Sequence, residues 1–233
     1  MALLLFDIDG TLLKPVGLGR GAFEAALREA TGADGPVGFT FDGLLDTQIA
    51  ARALEQRGRP ASPEAVGRLL KSYLARLAAA DPPPGDLACP GVRSVLAGVS
   101  ARGHHAALVT GNLRQGAAIK LGLASLDSHF RSDGASSPLL GAFGDEAQER
   151  WELIPLAVAR CVEAFGRPFS PRETWVVGDS SRDVEAARRA GVRCAAVATG
   201  LTPYDGLAQL GPEVLLRDLA DPAPLWDALE GGS

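Results

Sequence analysis

Leu3-Leu4-Leu5-Phe6 runs directly into Asp7-Ile8-Asp9-Gly10-Thr11, and how these residues are read decides the fold. An unbroken apolar tetrad bounded by a turn signal is the pattern of a strand buried on both faces, as in parallel sheets. Asp7 and Asp9 then stand at the carboxyl end of that strand, where ligands gather in open α/β sheets. Gly10 lets the backbone turn sharply away. Asp-Gly is also a hairpin dipeptide, but a hairpin needs a partner strand next in sequence. None follows. After Thr11 come Leu12-Leu13-Lys14-Pro15 and a glycine-bearing stretch that leads into a helical pattern.

Working outward, a helix is expected over about 22–30, with Phe23, Ala26, Leu27 and Ala30 on one face and Gly32 as its stop. A second is expected over 44–57, with Leu45, Ile49 and Ala53 in helical register. Ser62-Pro63 is an N-cap followed by proline at the first helical position, which opens a third helix running to about 80. Asp81-Pro82-Pro83-Pro84-Gly85-Asp86 ends the helical run as a semi-rigid connector. Residues 16–84 therefore read as an all-helical insert between residues 1–15 and 85–233.

Beyond Pro90 the pattern changes to alternating helix and strand. Helices are expected over 92–102, 113–121, 152–165 and 183–190, and strands over 105–109, 174–177, 194–198 and 214–216. The stretch 132–144 is loop-rich, with a short strand around Leu139-Leu140. Such alternation is that of parallel βα units with right-handed crossovers. The expected fold is an α/β core with an inserted helical module.

The 233 residues suffice for a core plus a small module, and 46% hydrophobic with 22% charged residues is ordinary globular composition. A net charge of −5 argues against nucleic acid as a partner. Cys89, Cys161 and Cys194 are odd in number and far apart, as expected of reduced thiols rather than a disulfide framework. The N-terminal apolar run is too short for a membrane span or signal peptide. The expectation is a cytoplasmic protein with no membrane partner, monomeric or a homodimer.

Three of the strands end in small polar or acidic residues: Asp7-Ile8-Asp9-Gly10-Thr11, Thr110-Gly111-Asn112, and Gly178-Asp179-Ser180-Ser181-Arg182-Asp183. In one parallel sheet these ends surround a single crevice. Clustered carboxylates repel unless a cation holds them. Donors that are all oxygen point to Mg²⁺, which usually shares its sphere with a phosphate. A carboxylate is also able to attack phosphorus covalently. Thr110 and Asn112, at a helix N-terminus, are placed to donate to a phosphoryl oxygen.

In order and spacing, Asp7-Ile8-Asp9-Gly10-Thr11, Val109-Thr110-Gly111-Asn112 and Val177-Gly178-Asp179-Ser180-x-x-Asp183 resemble motifs one, two and four of the haloacid dehalogenase superfamily. The helical insert is similar to the cap of its phosphoglycolate-phosphatase-like branch. The resemblance implies a Rossmann-like core, Mg²⁺, and two-step phosphoryl transfer on a small phosphorylated metabolite. It makes Asp7 the nucleophile and Asp9 the acid, then the base. The metal would take carboxylates from Asp7 and Asp179 and the main-chain carbonyl of Asp9, with Asp183 bound directly or through water. The main-chain carbonyl of Ile8 has no role. Thr110 would bind the phosphoryl group, with Gly111 and Asn112 beside it.

Motif three departs from the family, which usually shows a lysine where this chain has Arg150-Trp151-Glu152-Leu153. Arg150 fits the register best and, as a forked cation, is suited to bridge the phosphoryl group and Asp7. Lys120 is the alternative, although its expected role is that of a solvated charge on a helix surface. His104, His105 and His129 read as surface or structural residues, and Trp151, Trp175 and Trp226 as packing. Lys14, Arg20, Gly43, Asp46 and Arg52 stand near the expected site without a role assigned.

The resemblance leaves rival activities. A β-phosphoglucomutase-type phosphomutase shares Asp7, Asp9 and the cap. A dehalogenase is disfavoured by Asp9, because those enzymes lack the second aspartate and need no metal. A non-catalytic binding module is at odds with the intact Asp7, Asp9, Thr110 and Asp179.

Overall fold

The computed structural model describes residues 1–131 and 137–231. Six parallel strands form one sheet: β1 (Leu3–Phe6), β2 (His105–Val109), β3 (Gly141–Ala142), β4 (Thr174–Gly178), β5 (Arg193–Val197) and β6 (Val214–Leu216). Their order is β3-β2-β1-β4-β5-β6, which puts β1 at the centre. Leu3 pairs with His105 on one side and Thr174 on the other. This is the Rossmann-like α/β fold expected.

The centre of the sheet follows from the apolar tetrad. Leu4 and Phe6 enter one face's hydrophobic cluster, while Leu3 and Leu5 enter that of the opposite face. All four are fully buried. Each such side chain contributes about 1.5–3 kcal/mol by burial, which a solvent-facing hairpin would forgo on one side.

Helices α1 (Leu18–Thr31), α2 (Asp46–Gln56) and α3 (Pro63–Ala78) make up the insert. They carry their own apolar cluster, built on Phe23, Leu27, Ile49, Leu54, Leu69 and Tyr73 and closed onto the core by Leu113. At its root the outgoing and returning chains pair. Lys14 N donates to Leu87 O, and Cys89 N to Leu12 O, each at 2.9 Å. The first helix begins earlier than the expected residue 22, and so includes Gly19 and Gly21. The helix opens after Gly17, which is left-handed at φ 80°, and packs closely at Gly19, where a Cβ would stand 3.1 Å from Lys120 Nζ.

Helices α4 (Val92–Ala101), α5 (Arg114–Leu123), α6 (Leu153–Phe165) and α7 (Ser181–Ala190) fall within a few residues of expectation, and α8 (Tyr204–Leu210) and α9 (Ala223–Glu230) are additional to the expected elements. Both are short, of 7 and 8 residues, so their periodicity is weak. The strand expected at Leu139-Leu140 lies instead at Gly141–Ala142, while Leu139 makes only an isolated antiparallel bridge to Arg131. Glycine and alanine carry no apolar alternation, and β3 is held by its pairing with β2, the burial of Ala142 and a hydrogen bond from Arg160 to Gly141 O. Part of the loop expected over 132–144, namely 132–136, lies outside the described residues.

All three cysteines are free and buried. His105 stacks on Phe165 with ring centroids 3.9 Å apart, and His104 Nδ1 accepts a hydrogen bond from Ala2 N. Both histidines are structural, as read from the sequence. No helix among the described residues is long and apolar enough to cross a membrane.

Candidate active site

The ladder of β1 extends to Asp7, whose N–H donates to Val177 O at 2.9 Å. Beyond it the chain coils back so that Thr11, Leu12 and Leu13 all donate to Ile8 O. That carbonyl is consumed by the turn, and Asp7 and Asp9 are left at the lip of the sheet. β2 and β4 deliver Thr110-Gly111-Asn112 and Asp179 to the same edge. The strand ends thus meet around one cavity of about 300 Å³, closed on the far side by the insert.

Two groups of charges form there. In the first, Asp7, Asp179 and Asp183 offer carboxylate oxygens that all lie within 4.8 Å of one another. Arg150 enters this group from the turn before α6. Its Nη2 is 3.0 Å from Asp7 Oδ1 and 2.6 Å from Asp183 Oδ1. Asp183 is committed on both oxygens, because Oδ2 accepts from the Ser180 hydroxyl at 2.6 Å and caps α7. Asp179 is cradled by glycines: a Cβ on Gly10 or Gly200 would fall 2.3 or 1.6 Å from its Oδ2. Thr11 Oγ1 donates to its Oδ1 at 2.8 Å.

Burial pushes the Asp7 carboxyl up to about 6, with Arg150 opposing and the charges of Asp183 and Asp9 adding to the rise. Burial, together with the charges of Asp7 and Asp183, holds Asp179 well above the usual carboxylate range. One guanidinium does not neutralise three buried acids. A small divalent cation with oxygen donors fits the remainder.

The second group is built on Asp9, whose side chain is 51% exposed to the cavity. Its Oδ2 accepts from Lys120 Nζ at 2.6 Å and from Asn112 Nδ2 at 2.8 Å. Burial acts to raise the Asp9 carboxyl, but Lys120 and Asn112 outweigh it and hold the group below its ordinary range. Burial likewise acts to discharge Lys120, and Asp9, Tyr73 and Asp46 hold its ammonium above its usual value instead.

Lys120 therefore corrects the expectation of a surface charge. It is buried, on the same stripe of α5 as Gly116, Ala117 and Leu121. That register, a lysine within an apolar helical stripe, was the signal available in the sequence. Arg150 reaches Asp7 and Lys120 reaches Asp9, so the two cations serve different carboxylates.

Of the other expected residues, Asn112 lines the cavity and also accepts from Lys120 through Oδ1 at 2.6 Å. Thr110 is fully buried behind it, its Oγ1 accepting from Asn112 Nδ2 at 2.9 Å. Gly111 meets the insert, its carbonyl accepting from Asp46 N at 2.8 Å. Asp46 also stands in the cavity wall, where Oδ2 accepts from Leu113 N at 2.9 Å. Burial pushes its carboxyl up to about 6, against the pull of Lys120. Arg52 lies over the Phe39 ring and takes no part in the cavity lining.

Residues 1–191 match the haloacid dehalogenase-like hydrolase family, and the protein belongs to that family. It is 28% identical to phosphoglycolate phosphatase 1 of Pseudomonas aeruginosa, over 97% of this chain and 79% of that protein. It is 29% identical to the phosphoglycolate phosphatase of Synechococcus elongatus, over 95% of each chain. Among solved structures, a β-phosphoglucomutase from Clostridium difficile superposes with a TM-score of 0.74. That match covers 99% of this chain and 97% of the other at 15% identity, and so concerns the fold alone.

Proposed function

We propose that this protein is a Mg²⁺-dependent phosphatase that hydrolyses a small phosphate monoester through a phosphoryl group carried on Asp7. The observation behind this reading is the meeting, in one cavity, of Asp7 paired to Arg150, Asp9 facing open space, and an acidic cluster short of positive charge. The phosphatase names of the relatives 28–29% identical support the same reaction class.

Asp7 and Asp179 would hold the cation, with the Asp9 main-chain carbonyl. When bound, the ion neutralises the carboxylates and polarises phosphoryl oxygens. Asp7 attacks phosphorus, the bond from phosphorus to the ester oxygen breaks, and Asp9 gives that oxygen its proton. Arg150, fixed beside Asp7 Oδ1, accompanies the transferred charge. Asp9, now a carboxylate, takes a proton from a water that attacks the aspartyl-phosphate, freeing Asp7 and phosphate. Asn112 and Lys120 both grip Asp9 Oδ2, which leaves Oδ1 to carry the proton. Asp183, with both oxygens engaged, positions Arg150. Thr110 orients Asn112, its Oγ1 accepting from the Asn112 amide.

Residues 16–84 act as a cap that shuts water out during transfer. The three buried free thiols accord with a reducing, cytoplasmic setting.

The test is phosphate release from a panel of monoesters, with Mg²⁺ and then with excess chelator, for wild type and Asp7→Asn. Metal-dependent release that vanishes in a folded Asp7→Asn protein is expected. Release that survives the substitution would overturn the mechanism. Conversion of a sugar 1-phosphate to its 6-phosphate without free phosphate would identify a phosphomutase instead.

A further inference from the structure

Resting on that phosphatase reading, we propose that the ester bound here has an uncharged, apolar alcohol part: it is an alkyl or aryl phosphate. The cavity has two unlike walls. The core supplies the charged floor already described, whereas the insert supplies Val16, Leu18, Phe23, Phe41 and Ile49.

The one guanidinium on the insert's wall is already spent. Arg20 gives Nε to Glu24 Oε1 and Nη2 to Val37 O, each at 2.9 Å, and its plane lies 4.8 Å over the Phe41 ring. Lys14, at the cavity edge, donates to Asp86 O at 2.8 Å, and Lys120 is held by Asp9 and Asn112. Asp42 and Asp46 also line the space.

A second anionic group on the substrate, such as a carboxylate, would meet Asp42 and Asp46 inside the cavity, with Lys14 at its edge as a cation not paired to an acid. A polyhydroxylated sugar would find acceptors in Asp42 and Asp46 but would lay its remaining hydroxyls against leucine, isoleucine and phenylalanine, and a buried polar group without a partner is costly. An alkyl chain or aromatic ring instead gains from each carbon it buries. The discrimination lies in what the wall lacks as much as in what it offers.

The experiment has two arms. The first compares kcat/KM for propyl, pentyl and phenyl phosphate with phosphoglycolate, glucose 1-phosphate and phosphoethanolamine. The second measures, by calorimetry with Mg²⁺, the binding of phenylphosphonate and phosphonoacetate, which needs no turnover. At least a tenfold preference for the apolar esters is expected, with efficiency rising about fourfold per buried methylene, and phenylphosphonate should bind at least tenfold more tightly than phosphonoacetate. Preference for phosphoglycolate, the sugar ester or the amine would overturn the assignment, as would phosphonoacetate binding equally well or no binding of phenylphosphonate. If no ester releases phosphate, the phosphatase reading falls and the calorimetry alone decides what the wall recognises. Leu18→Lys, at a half-buried position, adds a cation to this wall and should move the phenyl-to-glycolate preference at least tenfold toward phosphoglycolate. An unmoved ratio in the folded variant would count against the proposal.

Discussion

Arg150 Nη2 stands 3.0 Å from Asp7 Oδ1, so the turn before α6 supplies the positive charge for the carboxylate at the end of β1. The same nitrogen holds Asp183 at 2.6 Å, which fixes the guanidinium from behind. Arg150→Ala is expected to lower kcat by about 10²–10³-fold, the effect of removing one preorganised donor from a developing charge. It should also destabilise the fold by about 3–5 kcal/mol, because Asp183 is left buried without its partner. Arg150→Lys should recover part of the stability and less of the rate, since an ammonium cannot fork between two carboxylates. Steady-state kinetics and urea unfolding of the two variants measure these effects.

Lys120 is expected to set the pH response of Asp9. With its ammonium removed in Lys120→Met, the Asp9 carboxyl rises from its depressed position. The step in which Asp9 must be a carboxylate then fails at a higher pH. Asp7, raised to about 6, shares control of the acidic limb of kcat, so the test is the Asp9 titration itself, followed by carboxyl NMR in the two proteins. It should move upward in Lys120→Met, and an unmoved titration would show that Lys120 does not act through Asp9.

Asp46 carries a cost in stability. Its pKa rises on folding from 3.8 to about 6, so between these values the unfolded chain loses its proton while the folded one keeps it. Stability therefore falls as pH rises through this window and stays lower above it. The full shift corresponds to at most about 3 kcal/mol, or ~1–2 kcal/mol when discounted for the side chain's partial access to cavity water. Asp46→Asn keeps an acceptor for Leu113 N and should unfold at a higher temperature than wild type at pH 7.5. The gain should vanish below pH 4, and thermal melts at the two pH values decide it.

Asp179 is expected to link metal binding to stability. Without a cation its carboxylate is crowded by Asp7 and Asp183, so Asp179→Asn should raise the Tm of chelator-treated protein. Wild type should gain Tm on adding Mg²⁺, with about 2.7 kcal/mol at a hundredfold excess over Kd, and the variant should gain far less. An equal gain in both would remove Asp179 from the metal site.

The central strand and the three acidic or polar strand ends were legible in the residues alone. Leu3-Leu4-Leu5-Phe6 has no polar face to offer water, so it belongs between two layers, and parallel strands put Asp7, Asn112 and Asp179 on one edge. Arg150 was legible from its place before α6. The rest depends on long-range packing. Gly141–Ala142 has no pattern of its own and is a strand because β2 is beside it. Lys120 sits on a buried helical stripe, where no local rule assigns a lysine a partner 111 residues away. Its burial is tolerable because Asp9, brought there by β1, meets it at 2.6 Å. The character of the cavity likewise depends on how α1 and α2 fold over the sheet, since Leu18, Phe41 and Ile49 face one space only after the insert has closed on the core.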